Sequence, residues 1–473
     1  TVGNVGAWFL LPAGYSFDRF GPVAGIFVGS GFCLLGYLLL WGIVSQRVGG
    51  AGEYALLLAG AFAAQHGCGW WDGTAVPMAS RNFPHDRGLA VGLIKGFFGI
   101  SSSVITLLYQ SFFRPDIAAF MLSLALGLPA GAMAAALGAS LAPTKGTAAA
   151  PALNLEERAR VVAVGYGLLA LLVVYISSSS LSQKQQNRPV LGLLLIGLLA
   201  SFFALLWPIK VRRMERILSR GGWSDNGGGG ADDAATASLM SRRGGNSSTA
   251  DGDGDAGAST SSSAAALASG SRVATFEQVL RERNFWLIFS VCFIGMGSGI
   301  TLINNIGGLV LSLGGARGQQ DTYVVLISVG SCVGRAGAGL ASDQFKRWLR
   351  ANYLLANSLL MALAQLSLCI PNLSSLYLSC FLTGVSFGAY FSLMPVILGD
   401  FFAGSDFGKV LGAAMMAPTL GSLVFSTFLA STFYKWASPA HAATCVGPAC
   451  FRATWFVLAA SSFLAAQLSR KIK

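Results

Sequence analysis

Gly14-Tyr-Ser-Phe-Asp18-Arg19-Phe-Gly21 closes the first apolar stretch of the chain, and Gly339-Leu-Ala-Ser-Asp343-Gln-Phe-Lys346 closes the ninth. Both read G-x-x-x-D at the end of an apolar helix. Glycine lets two helices approach closely, and aspartate can accept hydrogen bonds from the positive N-terminus of a neighbouring helix. One copy of so short a pattern carries little weight. Two copies at matching places in two halves of a chain point to an internal repeat built from helices.

The residues around these copies set the medium. The chain has 473 residues, of which 53% are hydrophobic and 11% charged. A soluble domain carries about 25% charged residues. Mean hydropathy is +0.61. These values exclude a soluble enzyme or nucleic-acid-binding module and leave a polytopic membrane protein in a lipid bilayer. The 60 glycines suit helices packed closely in lipid. There is no nucleophile elbow, no phosphate loop of the G-x-x-x-x-G-K-[ST] kind and no paired His-Glu motif, so neither catalysis nor an ATP-driven motor is expected. No cofactor or metal site is expected either.

Hydropathy predicts thirteen spans, at 1–16, 22–44, 54–80, 88–112, 117–141, 160–181, 189–208, 284–312, 322–342, 351–371, 374–398, 408–434 and 453–469. The net charge of +12 is distributed as topology rather than as a nucleic-acid stripe. One set of alternate loops carries 23 Lys and Arg and the other seven. The richer side is assigned to the cytoplasm, which places the linker and the C-terminus there. That orientation suits a plasma membrane and a vacuolar membrane alike. Gly221 to Arg272 is Gly, Ser, Ala and Asp with one Trp. It cannot bury enough apolar surface to order itself and is expected to be a disordered cytoplasmic linker. The basic run Lys210-Val-Arg-Arg-Met-Glu-Arg216 before it reads as a membrane-side anchor or as a contact to anionic lipid.

The repeated motif resembles the signature loop of the major facilitator superfamily, which lies between helices 2 and 3 and recurs between helices 8 and 9. Longer stretches resemble its nodulin-like branch. They are Arg81-Asn-Phe-Pro, Gly92-Leu-Ile-Lys95-Gly-Phe-Phe-Gly-Ile-Ser101, Phe285-Trp-Leu-Ile-Phe, Gly295-Met-Gly-Ser-Gly-Ile-Thr-Leu-Ile-Asn304-Asn305, Gly384-Val-Ser-Phe-Gly-Ala-Tyr-Phe-Ser-Leu-Met-Pro395 and Cys445-Val-Gly-Pro-Ala-Cys450-Phe-Arg452. The resemblance covers nearly the whole chain outside the linker. It implies an all-α fold of two pseudo-symmetric bundles with two additional helices between them. The expected organisation is an N-terminal bundle at 1–142, additional helices at 143–208, a linker at 209–283 and a C-terminal six-helix bundle at 284–473. The first span matches family helix 2, so the family's first helix is expected to be missing from this chain. The implied function is alternating-access transport of a small organic solute, with a proton as a candidate coupling ion. The alternative is a receptor-like member that binds a ligand without moving it.

Ionisable groups within spans are functional candidates by default. Asp72 lies about 16 Å and Lys95 about 10 Å from the turn that joins their helices, at 1.5 Å per residue. A lysine stem can close most of that gap and form a proton-sensitive pair, or Lys95 can reach the interface while Asp72 binds backbone or water. Arg335 lies about 12 Å into the membrane from Asp343. A fixed guanidinium there needs an anion or several carbonyls, and an organic carboxylate fits it bidentately. Its place resembles the substrate arginine of monocarboxylate transporters, whose aspartate one turn earlier is Ser331 here. The other reading is a structural arginine set against Asp343 or Asp18. Asn304 and Asn305 must face a cavity or another helix. Tyr390 and Ser392 are weaker candidates of the same kind. His66 near Cys68, and Trp70 with Trp71, read mainly as packing. Gly14, Asp18, Arg19, Gly339 and Asp343 are expected to form a conformational latch on the cytoplasmic face. Cys445 and Cys450 can form a disulfide in an oxidising compartment.

Overall fold

A computed structural model of the protein describes residues 2–50, 52–140, 154–181, 189–190, 192–200, 275–316, 318–345, 349–402, 404, 406–438 and 445–472. The linker Gly221–Arg272, the run Lys210–Arg216, Lys145, Lys346 and residues 201–208 of the expected span 189–208 lie outside these residues. The described residues are almost wholly helical, and nine of the described helices are long and apolar enough to cross a membrane.

The expected first span, 1–16, is two helices, α1 (Val2–Trp8) and α2 (Leu11–Phe20). Pro12 lacks the N–H that would continue the ladder, so the helix breaks and restarts with proline in its first turn. Gly21, at φ +81°, ends α2 and turns the chain into Pro22 of α3 (Pro22–Val44). α4 (Glu53–Asn82), α5 (Arg87–Leu108) and α6 (Ile117–Ser140) complete the first half. α4 packs on α3 and α1, and α6 packs on α3.

The first additional span begins as α7 (Leu155–Arg160), capped by Asn154 and Glu157 acting reciprocally. It widens into a π segment, Val161–Tyr166, and continues as α8 (Gly167–Leu181). Leu169, Leu172 and Ile176 of this span bury themselves against Leu93 and Ile100 of α5.

The expected linker 209–283 stops short of its predicted end. Residues 276–281 form α9 (Phe276–Arg281), because Thr275 and Gln278 make a capping box at its start. The second half follows as α10 (Arg283–Ser312), α11 (Gln320–Gln344), α12 (Arg350–Ser367) and α13 (Leu373–Phe402). A broken span then runs through α14 (Phe407–Ala414), α15 (Met416–Gly421), a π segment Ser422–Leu429 and α16 (Ala430–Ala437). α17 (Ala449–Ser469) is last.

The halves meet along two seams, α5 against α11 and α2 against α14. Both rest on glycine. A Cβ on Gly14 would collide with the Gly408 carbonyl, and one on Gly339 would press into the backbone of Gly88 and Gly92. Backbones approach there to a distance that no side chain permits.

Candidate functional site

Two groups of charged residues lie on these seams, one at the helix ends and one in the middle of the spans.

At the helix ends each aspartate of the repeat caps a helix of the other half. Asp18 accepts from the N–H groups of Gly408 and Lys409, at 3.1 and 2.8 Å, which begin α14. Asp343 accepts from the Leu89 N–H at 2.7 Å, in the first turn of α5. Free N–H groups and the helix dipole both favour a carboxylate at these points. An arginine from the same half completes each group. Arg81 lies 2.6 Å from Asp18, and Arg350 lies 2.8 Å from Asp343. Arg350 also binds Asp400, which Arg87 reaches at 3.1 Å.

Arg19, expected in this group, turns away from it. Its guanidinium donates to the Tyr15 hydroxyl at 3.0 Å and lies over Phe20. Arg81 takes its place, and sequence reasoning missed it. The signal was present in Arg81-Asn-Phe-Pro, which lies at the same membrane face as Asp18.

In mid-span, Lys95 is 1% exposed and its Nζ lies 2.6 and 2.8 Å from the two Asp72 oxygens. Arg335, 3% exposed, comes from α11 of the other half. It donates to the Lys95 carbonyl at 3.3 Å rather than to Asp343 or Asp18. Its Cζ lies 4.7 Å from the Phe391 ring centre and 5.1 Å from that of Phe98. The Lys95 ammonium also faces Phe391, at 5.6 Å. Lys95 thus takes the Asp72 carboxylate, and Arg335 lies beside it against aromatic rings with no ion pair of its own among the described residues. The Arg335 Nε and the Ser331 hydroxyl, one helical turn apart, are buried without a hydrogen-bond partner among the described residues. Buried donors without acceptors are costly, and the oxygen of an anion is an acceptor that suits both.

The other candidates fall elsewhere. Tyr390 is buried in the second half, bonds the Ser358 hydroxyl at 2.9 Å and packs on Gly295. Ser392 is buried in the same helix. Asn304 and Asn305 both reach Ser426, and Asn304 also meets Asn4 of the first half. The His66 ring pairs with the Gly6 carbonyl and accepts from the Trp70 indole, a satisfied packing arrangement. Trp71 donates to the Ile26 carbonyl. Among the described residues no cluster of three metal-ligating side chains occurs. Cys445 and Cys450 are joined as a disulfide.

Two helical bundles that meet through reciprocal carboxylate caps, with a charged centre between them, define a class: membrane proteins with the major facilitator fold. Solved structures bear this out. The chain aligns over its whole length with 85% of the proton:xylose symporter XylE, at 14% identity and a TM-score of 0.57. It aligns over 99% with 82% of the human organic anion transporter MFSD10, at 13% identity and a TM-score of 0.51. The sequence narrows the class. The nodulin-like family profile matches residues 2–215, and the profile described as NFD4, C-terminal domain, matches residues 272–472. The chain belongs to the nodulin-like family, carries the major facilitator fold and is a multi-pass membrane protein.

Among curated relatives, NUCLEAR FUSION DEFECTIVE 4 of Arabidopsis thaliana is 22% identical over 96% of this chain and 78% of its own length. The probable transporter MCH1 of Debaryomyces hansenii is 25% identical over 32% of each chain, and that of Candida albicans is 25% identical over 32% of this chain and 33% of its own. The match thus spans about a third of these fungal relatives.

Proposed function

We propose that the protein is a secondary transporter that moves a small organic anion, with a carboxylate as the favoured group, by alternating access between its two bundles. One observation carries the reading: Lys95 and Arg335 are buried side by side, and among the described residues only Lys95 has a carboxylate, Asp72, at ion-pair distance. An unpaired buried cation is costly, so the centre gains stability when an anion completes it. The Arg335 Nε and the Ser331 hydroxyl are donors for that anion. The fungal relatives are named as probable transporters and MFSD10 as an organic anion transporter, which agrees with transport of this kind.

The pair Lys95–Asp72 supplies a route to coupling. An incoming carboxylate competes for Lys95, which leaves Asp72 free to take a proton. With substrate and proton bound together the centre keeps the net charge it has when empty, two cations against one carboxylate, so the two load without adding charge to the membrane interior. The Asp18 and Asp343 caps hold the opposite bundles together at one face, which suits a state open to the other face.

The test is uptake of labelled carboxylates, amino acids and sugars into proteoliposomes, with and without an inward proton gradient. Saturable carboxylate uptake that follows the gradient is expected. Arg335→Ala should reduce it at least a hundredfold, since a charge-assisted bidentate contact is lost. Uptake of neutral solutes alone, indifferent to Arg335, would refute the anion reading.

A further inference from the structure

α10, a membrane-spanning helix of 30 residues, carries two adjacent amides, Asn304 and Asn305, in its interior. Amides at that depth must find partners, because lipid offers none. The Asn304 Nδ2 donates to the Ser426 hydroxyl at 3.0 Å, and the Asn305 Nδ2 donates to the same hydroxyl at 3.4 Å and to the Thr301 carbonyl at 2.8 Å. From the other bundle, the Asn4 Nδ2 reaches the Asn304 Oδ1 at 3.4 Å. Ser426 lies in the π segment Ser422–Leu429, where the helix widens and the i→i+4 ladder is interrupted.

Two features separate this group from simple helix adhesion. Asn304 stays exposed although it lies within a membrane span and faces the opposite bundle. The Asn4 and Asn305 side-chain carbonyls accept no hydrogen bond among the described residues, and Ser426, already accepting two, retains its own proton for donation. The group therefore offers both acceptors and donors at a contact between the two bundles. It is also connected to the charged centre. Phe391 lies 4.7 Å from Arg335, and Trp8 lies 5.9 Å from Phe391. Asn4 is one turn from Trp8 on the same helix, about 5.4 Å along its axis.

We infer that Asn4, Asn304, Asn305 and Ser426 form a hydroxyl-recognising subsite, so that the preferred substrate is a hydroxylated organic anion several carbons long. This rests on the anion reading above. The carboxylate would lie at Arg335 and the hydroxyl-bearing end at the amides, with both bundles contributing to each end. A hydrocarbon acid would satisfy the first end and leave the amides facing a methyl group, which forfeits their hydrogen bonds.

Calorimetric binding to the full chain in nanodiscs, with gluconate, hexanoate and sorbitol as probes, tests this. Gluconate should bind at least tenfold more tightly than hexanoate. Asn304→Ala and Ser426→Ala should each weaken gluconate about tenfold and leave hexanoate within twofold, whereas Arg335→Ala should weaken both acids. Equal binding of the two acids, or equal losses for both in the Asn304 and Ser426 variants, would overturn the subsite, since a merely structural role lowers both together. If Arg335→Ala leaves both acids unchanged, the anion reading fails. Sorbitol binding that depends on Asn304 would then still support the subsite, and sorbitol binding that is absent or indifferent to Asn304 would overturn it.

Discussion

The two capped seams use the same chemistry in different surroundings. At α2–α14, the Asp18 side chain is only 4% exposed, but that of its partner Arg81 is 41% exposed. At α5–α11, the Asp343 side chain is 0% exposed and that of Arg350 only 19%. What packs on each seam also differs. The Tyr166 hydroxyl of the additional span donates to the Leu89 carbonyl at 2.8 Å, and Arg158 lies 3.5 Å from Asp86, next to the start of α5. Leu169 fills the space beside Gly96. The other seam has α9 instead, whose Phe276 N–H donates to Asp406 at 3.0 Å, while Asp406 also holds Lys409 at 2.9 Å. One seam is thus covered by an extra helix, and the other is more exposed, beside the short helix Phe276–Arg281. A repeat in sequence does not make its copies equal in stability, because burial sets the worth of a charge.

Substituting the two aspartates tests that inequality. Asp343→Asn removes the buried carboxylate that caps Leu89 and leaves Arg350 only the more exposed Asp400, and should cost roughly 3 kcal/mol, the low end for breaking a buried pair. Amide hydrogen exchange at the start of α5 should quicken by more than a hundredfold. Asp18→Asn should cost about 1 kcal/mol less, because the exposed Arg81 regains water. Its effect should appear at Gly408 and Lys409. If Asp18→Asn proves the more disruptive, burial does not rank the seams.

Tyr166→Phe is a smaller change confined to one seam. Loss of one neutral hydrogen bond should cost about 1 kcal/mol. Exchange near Leu89 should rise severalfold while that at Gly408 stays unchanged. A rise at both seams would mean that they open together.

The smallest effect concerns pH at the exposed seam. Asp406 lies outside the spans, and its carboxyl is held below the ordinary value by the Lys409 side chain and then by the Phe276 N–H. A depressed carboxyl contributes stability that is present above the unfolded pKa and lost as pH falls through the folded one. That window lies below the ordinary aspartate value of 3.8. Exchange at Phe276, corrected for intrinsic pH dependence, should therefore be flat from pH 7 to 5. In Asp406→Asn it should be faster by a small factor at both values. A marked loss of protection in the unchanged protein by pH 5 would show that Lys409 does not hold Asp406.

Much of this architecture was legible in the chain itself. Apolar length and scarcity of charge gave the helices, since lipid requires every backbone polar group to be paired within its own segment. The two G-x-x-x-D copies gave the repeat, and the resemblance carried by the longer motifs gave the family. Lys95, Asp72 and Arg335 stood out because charge within a span is costly. Other features depended on the packed chain. Pro12 splits the first span, α9 shortens the linker, and Arg81 rather than Arg19 serves Asp18. Arg335 read either as a binder of carboxylate or as a brace for Asp343 or Asp18, and its contact with the Lys95 carbonyl instead of either aspartate depends on helices from opposite halves lying side by side. A sequence records which residues cannot face lipid. Which of them meet depends on rotations and close approaches of helices far apart in the chain, and those are decided by packing alone.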